Sequence, residues 1–156
     1  MAAFVLALDI PARPDLVSIV RLTVAAAVRR RRIVSDERVA DLVLALSEAC
    51  TNAVEAHQQA GTPDAPIAVR IEEDEERFVV VVEDRGAGFD PMALPEHPAV
   101  TDPARLDYER GLGIPIIKTS VDEVTFRSDE HGTTVTMVIV APPVDRQLLM
   151  RTADDI

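Results

Sequence analysis

Val79-Val80-Val81-Val82-Glu83-Asp84-Arg85-Gly86-Ala87-Gly88 runs an apolar strand straight into a carboxylate and then into two closely spaced glycines. The apolar run from Phe78 to Val82 reads as a central strand, and the glycines end it in a turn. A carboxylate fixed at such a strand end can accept a hydrogen bond from an amino group, as an adenine N6 would offer. Gly86 and Gly88 let a ligand lie against the backbone with no Cβ in the way. Two more clusters, Gly111-Leu112-Gly113 and Gly132-Thr133-Thr134, bring five of the six glycines into three short segments. Glycines gathered in this way at element ends point to a bound ligand.

Working upstream, Ile67, Val69 and Ile71 alternate, and the acidic Glu72 to Glu76 make a turn, which together with Phe78 to Val82 predicts a hairpin. Ser35 is placed to cap a helix from Asp36 to about Gln59, which Gly61-Thr62-Pro63 ends. An earlier helix is expected from Asp15 to about Arg32, with Arg29 to Arg32 complementing the dipole at its C-terminal end. Phe4, Leu6, Leu8 and Ile10 alternate as a first strand.

Downstream, residues 90 to 109 hold Pro91, Pro95, Pro98 and Pro103 with no steady period, so they read as a long loop of the kind that forms lids. A short helix from Ile114 to Thr119 follows, then strands from Val121 to Arg127 and from Thr133 to Val140. The whole chain, 1–156, reads as a single domain, with a lid over 91–110 and a C-terminal tail over 142–156.

Composition narrows the function. Hydrophobic residues make up 47% and charged residues 28%, a globular balance. A net charge of -11 with only 3% aromatic residues argues against nucleic acid and anionic membranes, and favours a protein partner. Cys50 has no second cysteine to pair with and lies in a helical apolar pattern, so it reads as a small buried hydrophobe. The N-terminus carries Asp9 and lacks a basic leading segment, and no apolar run reaches about 18 residues, so a cytoplasmic protein is expected.

Glu48 and Asn52 lie one turn apart on the same face of the second helix, at the edge of its buried row. Gly111-Leu112-Gly113 opens the short helix, whose free N-terminal amides suit phosphate. Arg110 and Lys118 add positive charge nearby, and Thr134 offers a hydroxyl at the last strand.

The order of these pieces, E-x-x-x-N on a helix, D-x-G-x-G after a strand, a loop, G-x-G opening a helix and a hairpin G-T, resembles the GHKL ATPase superfamily with its Bergerat fold. Ser47 to Val54 and Glu109 to Gly113 are similar to the anti-sigma factor serine/threonine kinases of the RsbW and SpoIIAB type. The resemblance implies an α+β two-layer sandwich, with a mixed, mostly antiparallel sheet packed on helices. It implies ATP and Mg²⁺ as cofactors, Asn52 as metal holder and Glu48 as general base, with Arg110 as the lid arginine at the γ-phosphate. Asp84, Gly86, Gly88 and Thr134 would hold the base, and Gly111, Leu112 and Gly113 the phosphates.

The implied partners are a sigma factor and an anti-anti-sigma STAS protein that is phosphorylated. The first helix and the open sheet face would be available for dimerisation and sigma binding. The chain departs from the pattern at Ala56, where relatives often carry His or Lys; here His57 follows instead, and Arg110 abuts Gly111 directly. The competing reading is a non-catalytic binding module that switches partners without phosphotransfer. Glu48 separates the two, because a kinase needs that base and a binder does not.

Overall fold

The computed structural model describes residues 4–88 and 113–142. The lid segment, Arg110, Gly111, Leu112 and most of the C-terminal tail lie outside the described residues. The elements run β1 (Phe4–Pro11), α1 (Val17–Arg29), α2 (Asp36–Gln59), β2 (Pro66–Glu73), β3 (Arg77–Asp84), α3 (Gly113–Ser120), β4 (Glu123–Asp129) and β5 (Gly132–Val140).

The five strands form one sheet in the order β1-β2-β3-β5-β4, and the described strands pair antiparallel throughout. Along β3, Phe78, Val80, Val82 and Asp84 are buried while their neighbours are more exposed, the period of two expected where helices cover one face. The three helices lie on that face, with α1 and α3 both packed on α2. This is the two-layer α+β sandwich that the sequence implied.

Helix α2 organises the molecule. Ser35 caps it, its side chain accepting from the Arg38 amide at 3.3 Å, and Asp36 and Glu37 sit in the first turn where the dipole favours negative charge. Val39, Leu42, Leu46, Ala49, Cys50, Ala53 and Val54 recur at three and four and are buried against the sheet. Burying a side chain of Val or Leu size contributes roughly 1.5–3 kcal/mol, so this stripe holds α2 far more firmly than propensity does. At its C-terminus the amide of Thr62 donates to the His57 carbonyl (2.9 Å) and that of Gly61 to the Gln58 carbonyl (3.2 Å), which satisfies the last carbonyls and stops the helix.

Boundaries move where local chemistry competes. The first helix begins as a 3-10 turn at Pro14–Leu16 and turns α-helical at Val17. It ends at Arg29, and Arg32 adopts φ +53, which an α-helix cannot contain. The arginines there anchor the helix to its surroundings. Arg30 and Arg31 both bond the buried Glu73 carboxylate, and Arg29 pairs with Asp36. The β2–β3 turn is held by Asp74, whose carboxylate accepts from the amides of Glu76 and Arg77, each at 2.9 Å. The Glu76 amide above all holds that exposed carboxyl below its usual range.

Candidate active site

Glu48, Asn52 and Ala56 form a row along α2, about 12 Å long at the helical rise, beside the buried stripe. The two ends of the row meet two glycines from other elements. At one end, a Cβ on Gly113 would stand 3.1 Å from Glu48 Oε2 and 3.4 Å from both amide atoms of Asn52. The first residue of α3 is therefore pressed against the predicted base and the predicted metal holder. At the other end, a Cβ on Gly86 would stand 2.6 Å from Ala56 Cβ and 2.7 Å from its carbonyl carbon, so only glycine lets this loop dock on α2.

Asp84 stands at the end of β3 and is buried, with Oδ1 accepting from the Gly86 amide at 2.9 Å. Burial pushes its carboxyl above the usual range, and the amides of Gly86 and Thr133 offset part of that rise. A carboxylate kept out of water at a strand end is poised to take a hydrogen bond from a ligand. Beside it opens a cavity of about 1070 Å³, lined by Asp84, Lys118, Phe126, Ser128 and Thr133 among others. Glu48 and Asn52 do not line it. The cavity is thus the Asp84 end of the site, and the Gly113 corner is the other.

The structure brings Glu48, Asn52 and Gly113 together, and Asp84 and Gly86 on the same side of α2. Thr134 lines the cavity with Asp84 but is not the β5 residue opposite it. In the β3–β5 register Thr134 pairs with Glu83, and Thr133 pairs with Asp84. Directly opposed residues share a face, so Thr133 sits buried beside Asp84, with Oγ1 2.8 Å from Ser128 Oγ, while Thr134 lines the same cavity from beside Glu83. Sequence reading missed Thr133. Only the β3–β5 register separates it from Thr134, and no local pattern in the sequence carries that register.

Gly88 docks on the hairpin residue Asp129, which lines the same cavity as Asp84. It takes φ +68 and packs against the Asp129 carbonyl of the β4–β5 hairpin, so its missing Cβ makes room for backbone. Arg110, Gly111 and Leu112 lie outside the described residues. His57, to which the sequence assigned no role, is fully buried and bonded to the Asp84 loop.

Residues 10–139 match the histidine kinase-like ATPase domain family. The serine-protein kinase RsbW of Bacillus pumilus is 37% identical over 83% of this chain and 82% of its own length, and that of Bacillus subtilis is 35% identical over 83% and 81%. Among solved structures, the RsbU and RsbW domains of a Mycobacterium tuberculosis protein superpose with a TM-score of 0.63 at 20% identity, over 90% of this chain and 34% of that one. SiaB in the SiaB–SiaC complex of Pseudomonas aeruginosa gives 0.61 at 18% identity, over 86% and 88%.

The chain belongs to the histidine kinase-like ATPase family and, within it, to the serine-protein kinases of the RsbW type. It is an ATP-using protein serine/threonine kinase, and the reading as a non-catalytic switch is not favoured. No described helix is long and apolar enough to cross a membrane.

Proposed function

We propose that this kinase is an anti-sigma factor in the cytoplasm: it binds a sigma factor and phosphorylates a serine or threonine hydroxyl on an anti-anti-sigma STAS protein. The observation that carries the catalytic half is the Gly113 corner, where the start of α3 closes on Glu48 and Asn52. In this reading Glu48 accepts the proton of the substrate hydroxyl, so that its oxygen can attack the γ-phosphorus; a base in that role contributes roughly 10²–10⁴-fold in rate. The N-terminal amides of α3 point their partial positive charge at the phosphates.

The corner fits Mg²⁺, a hard cation that takes oxygen ligands, because Asn52 Oδ1 presents an oxygen there and Gly113 adds no side chain of its own. Asn52 would hold the ion, which when bound neutralises phosphate charge. Asp84 reads the adenine amino group, and Thr133 stands beside it on the same face.

The surface supports a protein partner. The chain carries a net charge of -11, and α1 exposes Ile19 at 53% and Leu22 at 73%, where a homodimer or sigma-factor contact would bury them. Calorimetric titration with ATP and GTP, with and without Mg²⁺, tests the site. Adenine-selective, Mg²⁺-dependent binding is expected, with Glu48→Ala retaining it and losing phosphotransfer by about 10²-fold or more. Equal transfer rates for Glu48→Ala and the parent would remove Glu48 as the base.

A further inference from the structure

His57 is fully buried, yet it stands one residue beyond the Glu48–Asn52–Ala56 row and touches none of the groups at the Gly113 corner. Its ring faces the other way, toward the end of β3. The Arg85 amide donates to Nε2 at 3.3 Å, and Nδ1 lies 2.9 Å from Thr62 Oγ1. An amide can only donate, so Nε2 must present its lone pair, and the ring hydrogen then sits on Nδ1 and points at Thr62. The Thr62 amide in turn donates to the His57 carbonyl, so the last turn of α2 and its closing loop hold the ring from both sides.

The Arg85 amide that His57 captures lies between the two residues that shape the Asp84 end of the site. Asp84 precedes it, and Gly86, whose amide bonds the Asp84 carboxylate, follows it and presses on Ala56. Without an acceptor, that amide would be left near the buried interface of α2 and β3, and the loop could rotate its peptide to find water. Rotation there would carry the Gly86 amide, and with it the Asp84 carboxylate, out of place.

We infer that His57 is a positioning residue for base recognition: its imidazole locks the Asp84-Arg85-Gly86 backbone onto α2 and so fixes the carboxylate that discriminates adenine. The inference rests on Asp84 reading adenine. It gives the imidazole a place at the base end of the site, away from the phosphates.

The test titrates ATP and GTP into the parent, His57→Gln, His57→Asn and His57→Leu, with thermal unfolding of each. Gln places an acceptor near the position of Nε2, whereas Asn reaches only as far as Nδ1. His57→Gln is expected to stay within about threefold of the parent for ATP. His57→Asn and His57→Leu are expected to lose about tenfold toward ATP with GTP unchanged, the size of one hydrogen bond, so that selectivity falls.

Variants that melt earlier but keep the parent's ATP-to-GTP ratio would overturn the inference, since a purely structural histidine moves stability alone. A parent that binds ATP and GTP equally would instead overturn the adenine reading of Asp84. Nitrogen-15 NMR of the parent ring decides the clamp without any variant: a hydrogen on Nδ1 supports it, and a hydrogen on Nε2 overturns it.

Discussion

At the scale of single residues, the site is built from atoms left out as much as from atoms present. Gly113 supplies the clearest case. Alanine there would place a methyl group 3.1 Å from Glu48 Oε2, and the carboxylate, being the end of a side chain, would yield. Gly113→Ala is therefore expected to leave thermal stability within about 2 °C of the parent, since alanine suits a helix. The same variant should lower the phosphotransfer rate by about 10²-fold through a misplaced base, as a transfer assay beside a melting curve would show.

Asp84 makes the opposite trade. Burial raises its carboxyl above the usual aspartate range, so the folded chain holds that proton more tightly than the unfolded one. Its contribution is then fully favourable below the ordinary aspartate pKa near 4 and is lost as pH rises through the raised value. Asp84→Asn should melt above the parent at pH 7.5, with the gap closing toward pH 4, while the preference for ATP over GTP falls. A gap that widens on acidification would show that Asp84 stabilises the fold as a carboxylate.

At the scale of elements, α2 carries two faces that a single stripe of periodicity conceals. The buried stripe from Val39 to His57 docks on the sheet, and the adjoining row of Glu48, Asn52 and Ala56 receives Gly113 and Gly86. Anything that frays α2 therefore reaches the site. Its N-terminus depends on Ser35, and on Arg38, which also bonds Asp122 at 2.6 Å and ties the first turn to the start of β4. Ser35→Ala is expected to cost about 1 kcal/mol, or roughly 2–4 °C in Tm, which differential scanning calorimetry resolves. A loss near zero would mean that the Arg38–Asp122 link alone fixes that end.

At the scale of the whole molecule, one core joins the helices to the sheet, and Cys50 lies within it, fully buried. Burial pushes its thiol up to about 12, so at neutral pH it is neither exposed nor ionised. Thiol labelling through a denaturant titration should therefore follow the loss of far-UV circular dichroism. Labelling well before that transition would mean that α2 separates from the sheet as its own unit.

The elements and the cap of α2 were legible in the sequence, because periodicity, capping residues and glycine turns act within a few neighbours along the chain. So were Glu48, Asn52 and Asp84, which local spacing places on one helix face and at one strand end. The pairing of Thr133 with Asp84, Gly86 packed against Ala56, Gly88 against Asp129 and the ring of His57 on the Arg85 amide were decided by tertiary structure alone. Each depends on the register between strands or on the docking of a loop against a helix. Those distances are set by packing between segments far apart in sequence, which no local pattern encodes.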